Sequence, residues 1–237
     1  MSLQTLAEFD RPKDKSAATG QGSPAAGAIS PSLVTLSEPF GKAAEAVRTL
    51  RTHVMAQHLR EGRRALAVCA PNDGVGCTFV AANLAVALSQ VGVRTLLVDA
   101  DMRDPGIDRI VAAPAGLPGL AQCLASPDMN FAECIDAEVL PDFSVIHAGG
   151  AAPNPQELLG SERFGELMDF CLRDFEATII DTPAANACSD ARRVGTVVGY
   201  ALLVAGRDRT FVEDVRTLAA QLEQDGARVV GTVLNRA

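Results

Sequence analysis

Three acidic side chains stand where apolar runs stop. Leu96-Leu97-Val98 runs into Asp99-Ala100-Asp101, and Ile179-Ile180 runs into Asp181. Carboxylates at the end of a buried strand are costly unless they meet a cation or hydrogen-bond donors. Mg²⁺ with its water shell supplies both, although a strand-end Asp can also simply cap the next turn. A further apolar run, Ala65–Cys69, continues as Ala70-Pro71-Asn72-Asp73-Gly74-Val75-Gly76-Cys77-Thr78. Strand, glycine loop and helix start are the context of a phosphate-binding loop. Gly74 and Gly76 would let backbone N–H groups form a concave nest for phosphate oxygens, with the positive end of a helix behind it. Thr78 stands where a Mg²⁺-binding hydroxyl belongs.

Position 77, where such a loop carries lysine, is Cys77. The only lysines are Lys13, Lys15 and Lys42, so the nucleotide-binding core has none, and Asp73 adds a negative charge to the loop. Losing one preorganised donor of this kind costs about 10²–10³ in rate. A cysteine at a helix N-terminus can have a lowered pKa, but passive replacement of a lost lysine is the simpler reading.

The elements that must position these groups follow from periodicity. Apolar runs at Ala65–Cys69, Thr95–Val98, Phe143–Ile146, Thr178–Ile180, Ala201–Val204 and Val229–Leu234 alternate with helix-like stretches at Thr78–Gln90, Ser161–Leu172 and Phe211–Gln224. Ala43, Ala46, Val47, Leu50, Val54 and Met55 recur at helical spacing before them. Continuous apolar strands separated by helices predict an α/β fold, a doubly wound, mostly parallel sheet with helices on both faces. Ligands of such sheets bind beyond the carboxyl ends of the strands. Residues 10–33, rich in Pro, Gly, Ala and Ser, have linker composition. The division expected is a flexible arm over residues 1–35 and one domain over 36–237.

Composition narrows the function classes. A net charge of −8 argues against a nucleic-acid backbone as partner. Six cysteines without a C-x-x-C pair suggest reduced thiols in a cytoplasm rather than a disulfide framework or a metal site. No signal-peptide pattern opens the chain, and no window reaches the ~20 apolar residues of a membrane helix. Work at a membrane would require a partner to hold the chain there.

Taken in order, these motifs resemble the bacterial tyrosine kinases that work with polysaccharide co-polymerases, relatives of the partitioning and division-site ATPases. Asp99-Ala-Asp101-Met-Arg103-Asp-Pro105 looks like that family's second acidic motif. Glu45-Ala-Val-Arg48-Thr-Leu-Arg51 matches its E-x-x-R-x-x-R oligomerisation helix, and Thr232-Val-Leu-Asn235-Arg resembles its adenine-contacting end. Ala152-Pro-Asn-Pro155 through Phe164 and Ser189-Asp190-Ala follow in the family's order.

The resemblance implies ATP or ADP with Mg²⁺ as ligands, bound by Asp73, Gly74, Val75, Gly76, Cys77, Thr78, Phe79 and Asn235. Thr78, Asp99 and Asp181 would hold the metal directly or through water. Asp99 or Asp101 would act on the attacking hydroxyl; were the chain an active autokinase, Arg103 or a partner's arginine would stand in for the lysine. Glu45, Arg48 and Arg51 would lie at a subunit contact. Active members of the family also carry a tyrosine-rich tail, whereas this chain stops at Ala237 and its sole tyrosine is Tyr200. The reading favoured is a cytoplasmic kinase-like partner of a membrane polysaccharide co-polymerase, weak or inactive in phosphoryl transfer. An active autokinase and a positioning ATPase are the alternatives.

Overall fold

A computed structural model describes residues 5–10 and 29–236. Its central strand, β2 (Ala65–Cys69), divides its side chains between two apolar layers: Leu66 and Val68 enter one, Ala65, Ala67 and Cys69 the other. This is the two-residue period of a strand. β3 (Thr95–Asp99) and β6 (Ala177–Asp181) behave alike, with Leu97 and Ile179 in the first layer and Leu96, Val98 and Ile180 in the second. Burial on both faces explains why these runs are continuously apolar.

The sheet is completed by β1 (Thr5–Asp10), β4 (Asp136–Leu140), β5 (Phe143–Ile146), β7 (Tyr200–Gly206) and β8 (Arg228–Arg236), in the order β1-β8-β7-β2-β6-β3-β5-β4. Among the described strands, only the edge pair β4–β5 is antiparallel. The first face is covered by α1 (Val34–Ser37), α2 (Lys42–Gln57) and α3 (Cys77–Ser89). The second is covered by α4 (Leu120–Ala125), α5 (Pro155–Gly160), α6 (Glu162–Asp174), α7 (Asp190–Val198) and α8 (Val212–Gln224). This is the predicted doubly wound α/β architecture. α3 is buried from Phe79 to Ser89, so it has no polar face to show.

The arm expected over residues 1–35 needs correction at both ends. β1 pairs in parallel with β8, and Leu6, 6% exposed, lies over Gly231, where an added Cβ would stand 2.5 Å from the leucine side chain. The outer edge of β8 would otherwise leave backbone groups unpaired. Residues 29–35 are also tied down. Ile29 bridges Val111, and Asn83 accepts the Val34 N–H (2.9 Å) while donating to the Ser32 carbonyl (3.0 Å). The linker-like residues 11–28 lie outside the described part of the chain. β4 is the other strand the apolar pattern misses. Its sequence carries acids, it is only partly buried, and Glu138 within it has φ 51°.

Candidate functional site

The phosphate loop links the end of β2 to the start of α3. Gly74 and Gly76 take left-handed φ values of 69° and 86°, which L side chains adopt only at a cost. Gly76 is doubly constrained, because a Cβ there would stand 2.2 Å from Asn235 Nδ2. The loop is clamped at both ends. Ala70 and Pro71 carbonyls accept the N–H groups of Ala185 and Asn186, and Asn235 Nδ2 donates to the Val75 carbonyl at 2.8 Å. Asp73 is exposed, and its charge helps raise the Asp101 pKa. Phe79 is buried in the core, so only its backbone can serve a ligand.

Cys77 turns inward. Its thiol donates to the Val68 carbonyl (3.2 Å), and burial, reinforced by Asp181, pushes its pKa well above the ordinary thiol value. The lowered pKa conceivable for a cysteine at a helix start is therefore absent, and the Cys77 side chain directs no donor toward the loop.

The acidic groups meet as their strand ends predict. Asp99 and Asp181 are register partners across β3 and β6, and both are fully buried. Asp99 accepts the N–H groups of Asp101 and Ile107, each at 3.0 Å. Neither oxygen of Asp181 has a hydrogen-bond partner. Burial lifts the Asp181 pKa to about 7; the Thr78 hydroxyl and Cys77 thiol beside it hold the rise back, although neither closes a hydrogen bond of normal geometry. Asp99 is also raised well above its ordinary value, by burial first and by Asp181 second. Asp101 is half-buried, raised chiefly by burial, and accepts the N–H groups of Arg103 and Asp104.

This arrangement suits Mg²⁺. An unsatisfied buried carboxylate, a second carboxylate opposite and the Thr78 hydroxyl converge, and a Cβ on Gly106 would come within 3.0 Å of that hydroxyl. Among the described residues no group of three or more His, Cys, Asp or Glu is assembled to hold a metal. The protein supplies no closed cage, and Mg²⁺ is ordinarily held by one or two carboxylates completed by water and substrate phosphates.

Other predicted residues are engaged elsewhere. Arg103 is bound in bidentate fashion to buried Asp190 (2.7 and 3.3 Å), a partner that Arg103's sequence neighbours do not reveal. On α2, Arg48 pairs with Glu45 (3.2 Å) and donates to the Pro39 carbonyl, and Arg51 donates to the Ala87 carbonyl (3.2 Å). Tyr200 begins β7 and packs against His58 and Arg63. The loop-facing end of that strand is Gly206, so Tyr200 lies roughly 20 Å from the loop by strand rise.

Two features escaped the sequence reading. His147, buried at the end of β5, bonds Asp108 (2.7 Å) and Asp136 (3.4 Å), and Asp108 adjoins the Ile107 N–H that holds Asp99. Arg209, in the turn after β7, donates from Nη1 to the Gly74 carbonyl at 3.1 Å. The first signal is a lone histidine at a strand end and the second an arginine among several; neither stands out by type or spacing.

The curated relatives carry similar sequences. Tyrosine-protein kinase wzc of Salmonella typhi is 36% identical over 203 residues, covering 86% of this chain but 28% of that protein. This chain thus spans little more than a quarter of the length of that relative. The putative tyrosine-protein kinase CapB of Staphylococcus aureus is 28% identical over 88% of this chain and 90% of its own length. Among solved structures, the kinase domain of the Escherichia coli tyrosine kinase ETK superposes with a TM-score of 0.85 at 28% identity, covering 99% of this chain and 91% of that one. The family model described as the CobQ/CobB/MinD/ParA nucleotide binding domain matches residues 66–237. That match runs from β2 through β8, and on that ground the chain belongs to the CobQ/CobB/MinD/ParA nucleotide-binding family, with bacterial tyrosine kinases among its relatives.

Proposed function

We propose that the chain is a kinase-like nucleotide-binding partner in surface-polysaccharide polymerisation and export. A membrane co-polymerase would recruit it to the cytoplasmic face, and its phosphoryl transfer is impaired. One observation carries this reading: the buried pair Asp99 and Asp181, the latter without a hydrogen-bond partner, stands beside a loop whose position 77 points a protonated thiol into the fold. Mg²⁺, when bound, supplies the charge that bridges phosphate oxygens. The chain's own share is to bind and orient: glycine-loop N–H groups and the start of α3 toward phosphates, Thr78 and Asp181 toward the metal. Two buried amide oxygens near the loop, Asn235 Oδ1 and Asn72 Oδ1, have no protein partner, which suits ligand donors such as a purine amine. Without the lysine, charge developing on a transferred phosphoryl group is under-stabilised. Nucleotide occupancy would then order the loop and the α2 contact of Glu45, Arg48 and Arg51. The tyrosine-kinase relatives support the family side of the reading, and no described helix is long and apolar enough to cross a membrane.

The test is to incubate the chain with MgATP and the cytoplasmic segment of a co-polymerase, then read complex mass by light scattering and phosphotyrosine by antibody. A joint complex without phosphotyrosine is expected. Phosphotyrosine that vanishes in Asp99→Ala would make the chain an active kinase, and absence of any complex would end the assembly role.

A further inference from the structure

Resting on the reading of a nucleotide site with a defective loop, we propose that Arg209 supplies the positive charge the phosphate loop lacks, binding the polyphosphate of a nucleoside di- or triphosphate. From β2 through β8 the chain holds no lysine, so a permanent side-chain cation contributed by that span is an arginine. Several arginines are already engaged: Arg103 by Asp190, Arg192 by Asp225, Arg109 by Asp104, and Arg163 by the carbonyls of Cys123 and Met129. Arg209 is exposed and hydrogen-bonds the loop itself, through the Gly74 carbonyl. That contact uses one of the five N–H donors of a guanidinium, whose planar fork suits phosphate oxygens.

The position of Arg209 is set by the packing of its turn. Gly206 lies so close to the loop that a Cβ there would stand 2.9 Å from Val75 Cγ1. The turn closes through the Arg209 and Thr210 N–H groups onto the Gly206 carbonyl and the Thr210 hydroxyl accepting the Gly206 N–H. Asp208 takes φ 60° within it, a conformation Asp tolerates better than most residues. Arg207 N–H donates to the Asn235 carbonyl, and Asn235 in turn holds the Val75 carbonyl. Turn and loop form one hydrogen-bonded unit, so a ligand on the loop meets Arg209 already in place.

The experiment is calorimetric binding of MgADP and MgATP to the full chain as wild type, Arg209→Ala, Arg209→Lys, Cys77→Lys and the Cys77→Lys/Arg209→Ala double variant. Thermal unfolding of each checks that it is folded. Wild type should bind; Arg209→Ala should bind about 10- to 100-fold more weakly, the usual range for a charge-assisted contact. Arg209→Lys should recover part of the loss, and the Arg209→Ala loss should shrink in the Cys77→Lys background, where a second cation serves the same phosphates. Binding by Arg209→Ala within twofold of wild type overturns the proposal. Silence of wild type while Cys77→Lys binds also overturns it, yet leaves the defective-loop reading standing. Silence of both defeats that reading as well.

Discussion

Asp181 offers the sharpest test of how the site is built. In the unfolded chain its carboxyl titrates near 3.8; in the fold, burial lifts it to about 7. The folded state therefore holds a proton that the unfolded state has lost, and stability falls as pH rises through that window. At 1.36 kcal/mol per pH unit, the full rise is worth about 4 kcal/mol, a ceiling that water entry lowers. Asp99 and Asp101 are raised nearby, so the titration belongs to the cluster rather than to one group. Asp181→Asn keeps the shape and removes the charge. Below pH 4 the variant and wild type should be close in stability. Between pH 5 and 8 the variant's advantage should widen by about 1–3 kcal/mol, read from urea unfolding without nucleotide or Mg²⁺. An advantage that does not change with pH, or a variant less stable than wild type at pH 8, would refute the claim that Asp181 is a buried carboxylate without a partner.

Three further outcomes follow from packing. Gly76→Ala should cost more than Gly62→Ala in a thermal melt: both carry left-handed strain of about 1 kcal/mol, but only the first drives a Cβ into Asn235, Gly62 having nothing within 4 Å. Arg103→Ala leaves buried Asp190 without its ion partner and should cost about 2–3 kcal/mol, the low side for such a pair because Arg103 is part-exposed; Arg103→Ala/Asp190→Asn should cost less than the two single changes together in a denaturant double-mutant cycle. Leu6→Ala should cost about 2 kcal/mol and speed amide exchange along β8, and unchanged β8 protection would mean that β1 does not hold that edge.

Much of the fold was legible in advance, for a local reason. β2, β3 and β6 are buried on both faces, so their runs are uninterrupted and end on the loop or the acids. β1 was hidden because six residues beside a Pro/Gly/Ser-rich stretch look like part of the linker, although the open edge of β8 recruits them. β4, with acids and partial burial, has no apolar run to notice. The short α4 and α5 are single turns or little more, below the length at which periodicity speaks.

The sequence by itself determined the chemistry offered at the sheet's carboxyl edge. Gly74, Gly76, Thr78, Asp99 and Asp181 sit at strand ends and a helix start, and local pattern sets such places. The absence of lysine from the loop, and from everything after residue 42, is equally a fact of sequence. Only the tertiary structure decided which groups are satisfied and by whom. Arg103 finds Asp190 87 residues away, Arg209 finds Gly74 135 residues away, and Asp181 finds no hydrogen-bond partner. Those outcomes depend on strand order and on the close approach that Gly76 and Gly206 allow between distant segments. A hydrogen bond needs its partners within about 3 Å, and in a parallel sheet that proximity is created by crossover connections rather than by neighbours in the chain.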